Sequence, residues 1–125
     1  MRSDRGSAVA EFIMVGALLT ALTLAVMQLA LALHVRNTAI DAAAEGARFA
    51  ALADARLDDG VRRTRELIGS ALGPQYPVEV EARVDEVGGY RSTAIVVRGD
   101  LPVIGLFGLG RGMEVTGHAV VESLE

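Results

Sequence analysis

The chain has no cysteine, no tryptophan and no lysine; all 12 of its basic residues are arginine. Without cysteine there is no disulfide framework and no thiolate metal site. Without lysine there is no phosphate-loop lysine, no Schiff-base nucleophile and no lysine general base. Aromatic residues make up only 4% of the chain, too few for a large aromatic binding groove, and the net charge of −4 leaves no nucleic-acid footprint. The remaining scarcity is local. Between Gly6 and Leu33 the only ionisable side chain is Glu11.

That charge-free stretch is the first thing the sequence does contain. Phe12 to Leu33 reads FIMVGALLTALTLAVMQLALAL. At about 1.5 Å per residue it reaches roughly 33 Å as a helix, enough to cross a hydrocarbon core. Thr20 and Thr23 can bond back to the preceding turn, whereas Gln28 is more costly and suits a face turned to a neighbouring helix. Ala17, Ala21 and Ala25, with Gly16 beside them, form a small-residue stripe that would let helices approach closely; the plain alternative is that alanine is simply abundant here. A cleaved secretory signal is the competing reading, with "ALALHV" at 30–35 as its weak cleavage site, but the apolar run is too long for a signal core. Arg2 and Arg5 precede the span and Arg36 follows it, a bias toward a cytoplasmic N-terminus and an exported C-terminal part. That part, lacking cysteine, relies on packing alone in a compartment where disulfides are permitted.

Beyond the span the period stays helical. Val35, Ala39, Ala42, Ala43, Gly46, Phe49, Ala50 and Ala53 share one face, and Asn37, Asp41, Glu45 and Arg48 the other. The span therefore runs straight into an amphipathic helix ending near residue 57. Asp58 or Asp59 caps a second helix over about 60–72, Gly60 loosens the first, and Gly73-Pro74 stops the second. The period then becomes two. Strands are expected at about 77–85, 92–98 and 113–122, with Gly88-Gly89 as a hairpin turn and "DLPVIGLFGLGRG" as an apolar loop at 100–112. The fold class is α+β: a long N-terminal helix, a short second helix and a small three-stranded antiparallel sheet. The domain plan is a leader at 1–6, a transmembrane helix at 7–34 and an exported domain at 35–125.

Chemistry is hard to find. His118 shares the polar strand face with Glu114 and Thr116, and His34 lies at the membrane edge, so neither has metal-ligand spacing. Glu79 and Glu81 lack a facing acid. "GLGRG" at 108–112 has the wrong spacing and context for phosphate binding. The apolar residues of that loop, Leu101 to Leu109, are read as core filling over the sheet, the alternative being an exposed patch for a partner or a membrane. No catalytic residue, metal, cofactor or small-molecule substrate is assigned.

"RGSAVAEF" before a long apolar helix resembles the processing site of type IV pilin-like proteins. In that family a prepilin peptidase cuts after a glycine, leaving a glutamate as the fifth residue of the mature chain. The resemblance makes Gly6 the cleaved glycine, Ser7 the new N-terminus and Glu11 that glutamate. The spacing is physically coherent. Cleavage would create an α-ammonium on Ser7, and Glu11, four residues on, lies on the same helix face and could neutralise it or a neighbour's. The plain alternative is an interfacial glutamate that snorkels. A second segment narrows the family. Ala43, Ala44, Glu45, Gly46, Ala47, Arg48, Phe49 and Ala50 resemble the A-x-E-G-A-R-x-A stretch of TadE-like minor pilins, or pseudopilins, of the tight-adherence (Tad, Flp-type) pilus. The resemblance implies a non-enzymatic role in pilus assembly. Its partners would be the membrane, the prepilin peptidase, other pilins and assembly-platform proteins, and its place the cell membrane, with the C-terminal domain outside. An uncleaved single-pass anchor of another envelope or secretion complex is the alternative. An enzyme on an anchor would need a pocket near His118 and Glu114.

Overall fold

The computed structural model describes residues 2–52, 55–101 and 112–121, with side chains from residue 4 onward. It is built from helix α1 (Arg2–Ala51), helix α2 (Leu57–Leu72) and strands β1 (Val78–Val87), β2 (Tyr90–Asp100) and β3 (Gly112–Val120). The expected order holds, and the span does run into the amphipathic helix without a break. The charge-free half of α1 satisfies its backbone internally and contains no proline, so nothing interrupts the hydrogen-bond ladder. Thr20 and Thr23 donate to the carbonyls of Gly16 and Leu19, each at 2.8 Å, so both hydroxyls are absorbed by the helix itself.

The boundary between the helices differs from expectation. α1 ends at Ala51 and α2 begins at Leu57, three residues before Gly60. Arg56 is the cap residue, and its side chain offers no acceptor; Asp59 instead reaches back from inside the first turn and accepts the Arg56 N–H at 2.9 Å. Asp58 is a first-turn residue too, where its charge suits the helix dipole. At the other end Gly73 stops α2 as expected, with φ 103° and its N–H on the Gly69 carbonyl at 3.0 Å.

The sheet has the order β1-β2-β3 and is antiparallel throughout. Gly88 and Gly89, at φ 60° and 83°, make the two-residue turn that pairs Val87 with Tyr90. The strands run longer than the period indicated for β1 and β2. β3 is described to Val120; the last expected position, residue 122, lies outside the described residues.

The two helices cover one face of the sheet. On it, Val80, Ile95, Val97, Met113 and Val115 join Val35, Ala39, Ala42, Ala43, Ala47 and Ile68 in one buried cluster. The other face carries Glu79, Glu81, Arg83, Arg98, Glu114 and His118. Arg98 ties the strands together there, at 2.8 Å to Glu81 and 3.2 Å to Glu114. Those hydrogen bonds, Glu81 before Glu114, raise the Arg98 pKa above the usual guanidinium value. The central strand is buried on both faces from Ser92 to Val97. Val84, by contrast, is 45% exposed despite its place in the apolar alternation, because β1 outruns the helix layer at the hairpin end.

Leu101, the described start of the long loop, is half-buried against the core. The expected loop at 100–112 is shortened at both ends, since Asp100 closes β2 and Gly112 opens β3; the stretch 102–111, with the apolar residues 103–109 and most of GLGRG, lies outside the described residues.

Candidate functional site

The positions singled out in the sequence fall along α1 in three groups. Gly6, Ser7 and Glu11 lie near its start and are all exposed. Gly6 and Ser7 are helical, and a side chain at Gly6 would meet nothing within 4 Å. Ser7 and Glu11 are one turn apart on the same side, about 6 Å along the axis.

Gly16, Ala17, Ala21 and Ala25 follow. All are exposed, and Gly16 again has open space around it. They sit on a bare apolar rod. Phe12 is 80% exposed, and Ile13, Met14, Leu18, Leu22, Val26, Met27 and Leu29 are exposed with it. The helix is long and apolar enough to cross a membrane, with a mean hydropathy of 2.2 in its most apolar window and none of that window buried.

The third group is Glu45, Gly46, Ala47 and Arg48, and here the structure supplies contacts that the sequence reading lacked. Gly46 is where α2 crosses α1. A Cβ on Gly46 would overlap the Thr64 hydroxyl and lie 2.8 Å from the Gly60 carbonyl oxygen. A Cβ on Gly60 would lie 2.6 Å from the Ala50 Cβ and 2.7 Å from the Gly46 carbonyl oxygen. The helices therefore meet backbone to backbone, and each glycine is required by the other. Gly60 thus tightens the helix pair and does not loosen the first helix. Thr64, fully buried, shares its hydroxyl proton between the Gly60 carbonyl at 2.8 Å and the Ala42 carbonyl at 3.3 Å, pinning the crossing.

On its other side α1 is pressed against β3. A Cβ on Gly117 would overlap the backbone of Ala43 and Ala44. Ala43 and Ala47 have no exposed surface. This two-sided burial shifts the phase of the helix face. Ala47 is inside, and Phe49, expected inside, is 37% exposed beside Glu45, Asp59 and Arg62. Ala53 lies outside the described residues. Glu45 and Arg48 point outward and pair at 3.6 Å, both well solvated. The motif thus divides into small residues that pack and charged residues that face away from the core.

Gly60 and Thr64 were missed as partners of Gly46, and Gly117 as the partner of Ala43. Gly117 was open to detection, since a glycine at a core-facing strand position marks close backbone approach. Gly60 was not, because Asp-Asp-Gly also reads as a helix break.

The groups weighed for chemistry stay apart. Glu114 is engaged by Arg98, and His118 lies 3.8 Å from Asp85, in a different row of the sheet. Glu81 is ion-paired and Glu79 stands beside it without a facing acid. His34 is exposed at the end of the apolar rod. Among the described residues no group of three or more His, Asp and Glu could hold a metal ion.

Comparison with known proteins agrees with the motif. The family model described as TadE-like protein matches residues 6–48. No curated protein and no solved structure matches the chain. The matched stretch contains all three groups of positions, from Gly6 to Arg48, and ends where α1 is held between α2 and β3. Residues 6–48 are thus similar to the corresponding segment of TadE-like proteins.

Proposed function

We propose that the chain is a non-enzymatic minor pilin or pseudopilin of a tight-adherence pilus, held in the membrane by the first half of α1 and processed after Gly6 by a prepilin peptidase. The observation that carries this is the pairing of a TadE-like segment with a bare apolar helix whose start bears Gly6, Ser7 and Glu11 in open positions. A peptidase reaching Gly6 meets no tertiary contact there. It has only to unwind the first turns of a helix, where glycine already weakens the ladder by about 1 kcal/mol relative to alanine.

After cleavage the Ser7 ammonium and the Glu11 carboxylate stand one turn apart in a low-dielectric setting. Each charge is then compensated in the same chain or by an adjacent subunit. Gly16, Ala17, Ala21 and Ala25 provide the face along which such helices pack. The head domain stays outside the membrane and presents Glu45 and Arg48 toward other pilins and assembly-platform proteins.

The test is the N-terminus of the protein recovered from its native membrane, by intact mass or terminal sequencing. A chain beginning at Ser7 supports the reading. A chain retaining the residues before Ser7 overturns processing and favours the permanent anchor. Glu11→Ala separates the two further. It blocks assembly if Glu11 compensates a mature amine and is tolerated in an uncleaved anchor.

A further inference from the structure

The register of the two helices places one end of the head at a definite depth. Gly46 meets Gly60 and Ala42 meets Thr64, so α2 runs antiparallel to α1 and advances one residue for each residue of α1. Gly46 also faces Thr64 and Gly60 also faces Ala50, so, continued to the end of α2, the register sets Leu72 level with residues 34–38, the first turn after the apolar run. Thr38 and Asp41 accordingly line one hollow with Leu67 and Ala71. Val35, one residue further on, is already 2% exposed within the head's core. No linker separates span from head.

A bilayer's polar layer is roughly 5–8 Å deep on each side of the hydrocarbon, the length of four or five helical residues. The first turn of the buried half, Val35 to Ala39, therefore lies within that layer, and so does whatever packs at its level. The elements at that level are the end of α2, the connection 73–77 and the base of the sheet. There Tyr76 donates its hydroxyl proton to the Asp100 carbonyl at 2.7 Å, and Val78 pairs with Gly99.

The sequence carries an independent sign of the same thing. Outside α1, the longest uncharged stretches are Leu67 to Val78, LIGSALGPQYPV, and Leu101 to Gly110, LPVIGLFGLG. The first forms the base of the head. The second departs from that base at Leu101, and β3 returns to it, since Gly112 pairs with Asp100. The charges nearest the base are Asp100 at its edge and, on the outer face of the sheet, Glu79, Arg98 and Glu114; the hairpin end carries Arg83, Asp85, Glu86 and Arg91.

We infer that the charge-poor base of the head, from Leu72 to Pro77 with Leu101 beside it and Asp100 at its edge, is a membrane-docking surface that rests in the lipid headgroup layer and holds the domain upright on its span. The inference rests on reading the first half of α1 as a membrane span. Proline, glutamine and tyrosine there suit the layer, tyrosine most of all, with a ring that is apolar and a hydroxyl that is not.

The absence of cysteine makes the test direct. Single nitroxide labels at Leu22→Cys, Gln75→Cys and Tyr90→Cys, all exposed positions, are compared in the full chain reconstituted into phosphatidylcholine vesicles. The reading is relaxation by oxygen against relaxation by a water-soluble nickel chelate. The expected result is a label at 22 that favours oxygen strongly, one at 75 shielded from the chelate to an intermediate degree, and one at 90 that favours the chelate. A label at 75 that matches the one at 90, with 22 in the lipid, overturns the docking surface and leaves the span intact. A label at 22 open to the chelate overturns the span, and the inference with it.

Discussion

The two halves of α1 are one continuous helix, both rich in alanine and both carrying glycine, yet they answer to different solvents. Before His34 nearly all the side chains are exposed and a Cβ at Gly6 or Gly16 meets nothing within 4 Å; after it a Cβ at Gly46 has no room at all. The first half is exposed along nearly all its length, with Gln28 and Ala32 half-buried, so its apolar surface is left for lipid or other helices. The second is the central rod of a small α+β core, held between α2 and β3. The same residue types therefore mean accessibility in one half and close packing in the other. What differs is the neighbours: Thr64 and the glycines of α2 and β3 pack against the second half, whereas the first is largely exposed among the described residues.

The largest effect that would sharpen this contrast comes from Gly117→Ala and Gly46→Ala. The first forces β3 off the α1 backbone and the second displaces Thr64. Each is expected to destabilise the head by about 3 kcal/mol or more, while Gly16→Ala leaves it unchanged. Chemical unfolding of the detergent-solubilised chain, followed by near-ultraviolet tyrosine signals, checks this; equal effects at 16 and 46 would erase the distinction. Ile68→Ala removes a fully buried side chain facing the same rod and should cost about 2–4 kcal/mol in the same assay.

Smaller changes probe the edges of the packed half. Thr64→Val keeps the shape and loses the shared hydroxyl bond, for about 1 kcal/mol. Glu45→Ala and Arg48→Ala break only a solvated pair, so stability should hold within about 0.5 kcal/mol. A loss of pilus assembly at unchanged stability would then assign those two side chains to a partner.

The smallest effect is in alkali. Burial, and next the charge of Asp100, raise the Tyr76 pKa above the usual value of about 10. The folded value exceeds the unfolded one, so the associated stability is present below about pH 10 and fades as pH rises through the folded value. Unfolding midpoints above that pH should fall more steeply in the wild type than in Tyr76→Phe.

Much of this was legible before any coordinates. The continuity of α1 follows from an apolar run that passes into a helical period without glycine, proline or a cap between them. The end of α2 is written in Gly73-Pro74, and the hairpin in Gly88-Gly89, where only glycine takes two successive positive φ values without strain. The start of α2 was misread by three residues because Asp59 caps from inside the helix, a contact across a turn that composition does not reveal. Phe49 was assigned to the core because one amphipathic face was assumed. Two opposed neighbours made the buried arc wider and turned it toward Ala47.

What the sequence alone determined is the division of the chain into an apolar rod and a packed head, because solvent preference is a property of each segment's own surface. The resemblance of residues 6–48 to TadE-like proteins was legible for the same reason, the motif being contiguous. What only the tertiary structure decided is why the motif has its glycine. Gly46 is small because Gly60 and Thr64 occupy the space a side chain would need, and Ala43 is small because Gly117 brings a strand against the helix backbone. Those partners come from two elements, α2 and β3, far apart in the chain. Close approach between backbones is a relation among elements, so it becomes visible only once they are brought together.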